Sequence, residues 1–166
     1  MSFPVHEHCK KMATQENETP WWAAFPEPVS RPDNIEPAKV FDLLEEQSKS
    51  PEKPRDFLLV DVRRTDWQGG TVESSINLPA HSFYPTRKIV YDLCKQAGIK
   101  KVIFYCGSSN GRGPRCAAWM QDYINDAGNS SIQSLILRGG IRGWIKAYSG
   151  RRMDGYDAKV WEGSSS

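Results

Sequence analysis

The stretch "KVIFYCGSSNGRGPRCAAWM", residues 101 to 120, decides how this chain is read. An apolar, largely β-prone run from Val102 to Tyr105 leads straight into Cys106. Gly107, Ser108, Ser109, Asn110 and Gly111 follow, all small or tolerant of turns, before Arg112, Gly113 and Pro114 open a helical pattern. Such residues let the backbone curl so that successive N–H groups face one point, and a helix N-terminus behind them completes an anion cradle. Pro114 suits a first helical turn, where its missing N–H costs nothing. Arg112 adds a planar fork that matches two oxygens of a tetrahedral oxyanion. Helix N-termini also favour the thiolate of a cysteine that faces them, and the thiolate is the nucleophile. The spacing predicts that residues 107–112 hold an oxyanion and that Cys106 attacks its central atom. Cys106 and Arg112 are therefore the candidate catalytic residues.

Working outward, "NIEPAKVFDLLEEQ" predicts a helix capped at Asn34 or its neighbour, with Pro37 in the first turn and Val40, Phe41 and Leu44 on one face. "DFLLVDV" (56–62) has the nearly continuous apolar character of a strand buried on both sides, and "SSINLP" is a second short strand stopped by Pro79. Residues 88–97 predict a helix that turns Ile89, Val90, Leu93, Cys94 and Ala97 inward. "KVIFY" is the third strand. The helix after the loop buries Cys116 or Ala117, Met120, Ile124 and Ala127, and stops at Gly128. "SIQSLIL" is the fourth strand and "GGIRGWIKAY" the last helix.

Strands alternating with helices predict an α/β domain with a central, mostly parallel sheet. Ligands of such sheets bind beyond the carboxyl ends of the strands, where Cys106 stands. Three segments result: an N-terminal extension (1–33), a catalytic domain (34–150) and a C-terminal tail (151–166). In the extension, the prolines of "WWAAFPEPVSRP" exclude a helix interior, and Trp21 and Trp22 are expected to pack onto the domain.

At 166 residues the chain suits one domain with a proper core. Its 22 basic and 20 acidic residues leave a net charge of +2, which makes no electrostatic case for nucleic acid or an anionic membrane as partner. No secretory apolar segment opens the sequence, and no run approaches the ~18 apolar residues of a membrane span. A cytoplasmic or nuclear setting with reduced thiols is the expectation. Four cysteines are too few for a disulfide-stapled scaffold. "HEHC" (6–9) gathers two His and one Cys but lacks the ligand set of a usual metal site, so no metal is expected.

The motif "YCGSSNGRGPRCAAW" resembles the active-site loop of the M-phase-inducer phosphatases and the related eukaryotic, fungal-type arsenate reductases, both of the rhodanese-like fold. "LLVDVRRTDWQGGTVESSINLP" is similar to that superfamily's first-strand block, and "LRGGIRGW" to its late strand-to-helix turn. The resemblance spans roughly residues 33 to 148 and implies a three-layer α/β sandwich. It also implies an enzyme acting on arsenate or phosphate through the Cys-x5-Arg loop, with no bound cofactor. For the arsenate reductases it implies glutathione as reductant and a glutaredoxin as partner. The alternatives are a phosphatase working through a cysteinyl-phosphate, a sulfurtransferase, whose loop is usually shorter, and a silent anion-binding module.

The chain departs from the family in two places. Tyr105 precedes the cysteine where His is common, and Val62 stands where the phosphatases carry a protective second cysteine. The resemblance gives Asp61 and Arg63 a bracing role. Asp66 is a weaker candidate acid, His81 a loop or surface histidine, Arg138 a structural residue and Cys116 a core residue.

Overall fold

The structure is a computed structural model and describes residues 18–163. The "HEHC" segment lies outside them. After a 3-10 turn at Trp21–Ala24, the chain runs through β1 (Asn34–Ile35), α1 (Pro37–Lys49), β2 (Phe57–Asp61), β3 (Thr71–Val72), β4 (Ile76–Asn77) and α2 (Ala80–Ala97). It continues through β5 (Lys101–Tyr105), α3 (Arg112–Asp126), β6 (Gln133–Leu137), α4 (Gly140–Tyr148), β7 (Met153–Asp154) and α5 (Ala158–Trp161). The main sheet has the order β1-β6-β5-β2-β4 with every pairing parallel, while β3 and β7 form a small antiparallel pair.

Alternation along the strands sorts the core into two layers. Val60 of β2, Val102 and Phe104 of β5 and Ile136 of β6 face α2 and α3. Phe57, Leu59, Ile103, Tyr105, Leu135 and Leu137 face α1 and α4. This is the helix–sheet–helix sandwich expected from the sequence. The parallel register puts the carboxyl ends of β2, β5 and β6 at one edge, where Asp61 pairs with Tyr105 and Phe104 with Ile136.

Three local expectations need correction. Asn34 belongs to β1, and Glu36 is the residue before α1. Helix α2 begins at Ala80 rather than 88, and its buried positions are Ala80, Phe83, Val90, Tyr91 and Cys94. Ile89 and Leu93 are 60% and 59% exposed, and Ala97 is exposed too, because β4, the edge strand beneath that flank, is only two residues long. Ala127 is likewise exposed, beyond the last turn of α3.

Candidate active site

Cys106 immediately follows β5, so strand alternation sends it to the side of Val102 and Phe104, at the N-terminus of α3. Its Sγ accepts the Gly113 N–H at 3.4 Å, and Ser109 Oγ accepts the Cys106 N–H at 3.4 Å. Ser109 turns the chain with a φ of 56°. The carbonyls of Cys106 and Gly107 accept from the Ile141 and Arg142 N–H groups, both at 3.0 Å, so the first turn of α4 holds the loop from behind. Gly140 makes this approach possible. At its φ of +59° a Cβ would stand 2.5 Å from the Cys106 carbonyl oxygen.

With those carbonyls turned to α4, the N–H groups of residues 107–112 have no protein acceptor among the described residues. That leaves a backbone nest over a nearly buried thiol (Cys106 is 3% exposed).

Arg112 is the first residue of α3, and its Nη2 lies 4.0 Å from where a Cβ on Gly107 would be. Its Nη1 and Nη2 donate to Asp66 Oδ1 and Oδ2 at 2.8 and 2.6 Å, and Asp66 Oδ1 also accepts the Arg64 N–H at 3.0 Å. The Arg112 hydrogen bonds, with the Arg64 N–H behind them, hold the Asp66 carboxyl far below the usual carboxylate range. Asp66 is thus an ionised partner of Arg112, not a carboxylic acid with a proton to give. The sequence suggested only the acid role; the pairing spans 46 residues and has no local signal.

The other weighed residues fall outside the nest. Tyr105 points into the opposite core layer, where its hydroxyl bonds Thr71 Oγ1 at 2.6 Å, Ser75 Oγ at 2.7 Å and the Val72 N–H at 3.1 Å. Asp61 and Arg63 form a buried pair at 2.7 Å, and Arg63 donates on to the Gly70 carbonyl. Arg138 pairs with Glu36 at the surface. His81 lies against Trp21, with ring centroids 4.4 Å apart, and burial pushes its pKa down. Cys116 is fully buried, and burial, aided by Cys106, pushes its thiol up out of reach; burial takes Cys94 to about 11. No group of three or more His, Cys, Asp or Glu among the described residues is placed to hold a metal.

Sequence reasoning missed the wall of the site. The extension crosses α3: the Trp119 Nε1–H donates to the Pro26 carbonyl at 2.8 Å, and the Val29 and Ser30 N–H groups donate to Asp122. This brings Trp22 and residues 27–31 around a cavity of about 780 Å3 whose floor is the Cys106 loop. Arg142 lines it as well, its Nε 3.9 Å from the same Gly107 point. A basic residue in the first turn of a helix is unfavourable for the helix dipole, and that was the available signal for Arg142.

A parallel α/β sandwich with a Cys-x5-Arg loop at a strand end defines the class of protein. The model of the rhodanese-like domain matches residues 41–147, and the chain belongs to that family. It is 29% identical over 97 residues to arsenical-resistance protein 2 of Saccharomyces cerevisiae, covering 54% of this chain and 75% of that protein. It is 25% identical over 118 residues to the dual specificity phosphatase ibp1 of Schizosaccharomyces pombe, covering 61% and 83%. The structure of an As-Sb reductase from Leishmania major superposes with a TM-score of 0.65 at 21% identity, covering 74% of this chain and 84% of that one. Among the described residues no helix is long and apolar enough to cross a membrane.

Proposed function

We propose that the protein is an arsenate reductase that uses Cys106 as nucleophile. Arsenate sits among the N–H groups of Gly107, Ser108, Ser109, Asn110, Gly111 and Arg112, with the Arg112 guanidinium on two of its oxygens. The Cys106 thiolate forms a bond to arsenic as one As–OH bond breaks, and that hydroxyl takes a proton from solvent and leaves as water. Glutathione then attacks the adduct. Two thiols become one disulfide, two electrons pass to arsenic, and arsenite departs. A glutaredoxin-type thiol transfer returns Cys106 to its starting state.

The observation that carries this reading over phosphatase chemistry is the state of Asp66. Hydrolysis of an ester needs a proton for the departing alcohol. The carboxyl beside the loop is ionised and tied to Arg112. The oxygen lost from arsenate needs a proton too, but it departs as a small water molecule and can take that proton directly from solvent. A phosphatase working through a cysteinyl-phosphate is the second reading, favoured by a cavity much larger than an inorganic oxyanion.

A paired assay on one preparation decides between them. Arsenate with glutathione and a glutaredoxin should yield arsenite, while an aryl phosphate should be turned over slowly or not at all. Rapid aryl phosphate hydrolysis without arsenite production would replace the reductase reading with the phosphatase one.

A further inference from the structure

The cavity over the loop carries more positive charge than its own carboxylates answer. Four arginines and two carboxylates line it. Asp66 pairs with Arg112 at 2.6 Å, and Glu27 with Arg115 at 3.0 Å. Arg31 and Arg142 have no ion-pair partner among the described residues, and both are exposed. Arg142 also sits in the first turn of α4, where a cation opposes the helix dipole. A charge held in an unfavourable place, without a partner among the described residues and on the wall of a cavity, is suited to an anion from solution.

The space agrees. About 780 Å3 lies in the range that accommodates drug-sized molecules, and an inorganic oxyanion in the loop fills a small part of it. Trp22, Pro28 and Val29, on the same arm as Arg31, give the cavity an apolar part of its lining.

Resting on the oxyanion reading of the loop, we propose that this cavity binds an organic molecule through a second anionic group, a carboxylate or phosphate held by Arg142 and Arg31. Its remaining part lies along the Trp22 wall.

The test measures protection of Cys106 from alkylation by iodoacetamide in the full chain, at low ionic strength, with three non-reacting probes. Inorganic phosphate reports the loop alone. Propylphosphonate adds a chain, and 3-phosphonopropionate adds the same chain ending in a carboxylate. Phosphate should protect, and 3-phosphonopropionate should protect at about tenfold lower concentration than propylphosphonate, as expected for a charge-assisted contact at a partly exposed cation. Arg142→Ala and Arg31→Ala should each shrink that ratio, and Arg142→Lys should keep most of it. A general loss of packing would weaken both phosphonates alike and leave the ratio unmoved. Equal protection by the two phosphonates, with phosphate still protecting, overturns the second subsite and leaves the loop reading standing. A ratio unchanged in both alanine variants also overturns it. Failure of phosphate to protect at all would overturn the loop reading together with the subsite that rests on it.

Discussion

At the scale of single residues, the proposed function gives Arg112 a divided task. Asp66 occupies its Nη1 and Nη2 end-on, so an oxyanion in the loop meets the remaining N–H groups of Nε and Nη2 unless Asp66 gives way. Lysine keeps the charge but has no fork to share between the two partners. Arg112→Lys should lower kcat/KM for the oxyanion substrate by about 10- to 150-fold, the equivalent of one charge-assisted hydrogen bond of roughly 1.5–3 kcal/mol. Its thermal midpoint should hardly move; unchanged kinetics with a lowered midpoint would make Arg112 a structural residue. Cys106→Ser should abolish turnover with the fold intact, because an alcohol supplies almost no anion at neutral pH.

Asp66 carries a pH prediction. Its folded pKa lies below the ordinary aspartate value of about 3.9, so its contact with Arg112 is fully present above that value. The contact is lost only as pH falls through the lower folded pKa. The acid limb of the rate profile above pH ~4 should therefore be the same in Asp66→Asn as in the parent protein. A limb that moves on this substitution would show that Asp66 titrates in the working range. The grouping of Cys106, the loop and Arg112 at one strand end was legible because they are neighbours in the chain. Asp66 as a partner of Arg112 was not, since a turn between β2 and β3 delivers it.

Between elements, the contact that matters most for the site is α4 against the loop. Two N–H groups of the α4 first turn fix the Cys106 and Gly107 carbonyls and so anchor the loop from behind. Gly140→Ala puts a Cβ 2.5 and 2.7 Å from those two carbonyl oxygens, both backbone, at a φ of +59°. Relieving that overlap must push α4 from the loop. The variant should lose phosphate protection of Cys106 and about 1–3 kcal/mol of stability, the usual scale of local backbone strain. Retained protection would mean that α4 does not shape the cradle.

Asp61 and Arg63 work between elements as well, tying the end of β2 to the turn that carries Asp66 and to Gly70. Asp61→Ala should cost about 3–5 kcal/mol in urea unfolding, because it leaves the Arg63 charge buried without its partner. The sequence displayed both acid and base but not their burial. The exposed flank of α2 was illegible for a related reason: its apolar residues follow a helical period, and only the length of the neighbouring edge strand shows which of them stay uncovered.

At the scale of the whole molecule, the described residues before β1 and after α4 close over the domain. The tail returns over the α1/α4 side: β7 pairs with β3, the Trp161 Nε1–H donates to the Gly69 carbonyl at 2.9 Å, and Arg152 joins Glu45 to Glu73. The Arg151 carbonyl accepts from the buried Trp144 Nε1–H at 3.0 Å. Removing residues 151–166 should lower stability by about 2–3 kcal/mol, the order of one large apolar side chain returned to water. A urea midpoint unchanged by the truncation would show the tail to be an appendage. At the opposite end the extension, read as a packing arm, is also the upper wall of the cavity.

The sequence by itself determined the α/β class, the order of the main strands and helices, and the thiol, loop and arginine that stand at one strand end. Those properties depend on local periodicity and on residues adjacent in the chain, which a linear reading can see. Tertiary structure alone decided which carboxylate meets Arg112, why Gly140 must lack a side chain, and that Arg31 and Arg142 face the same cavity. Each of these depends on segments far apart in sequence meeting through the sheet order and the helix packing, and no local pattern encodes such a meeting.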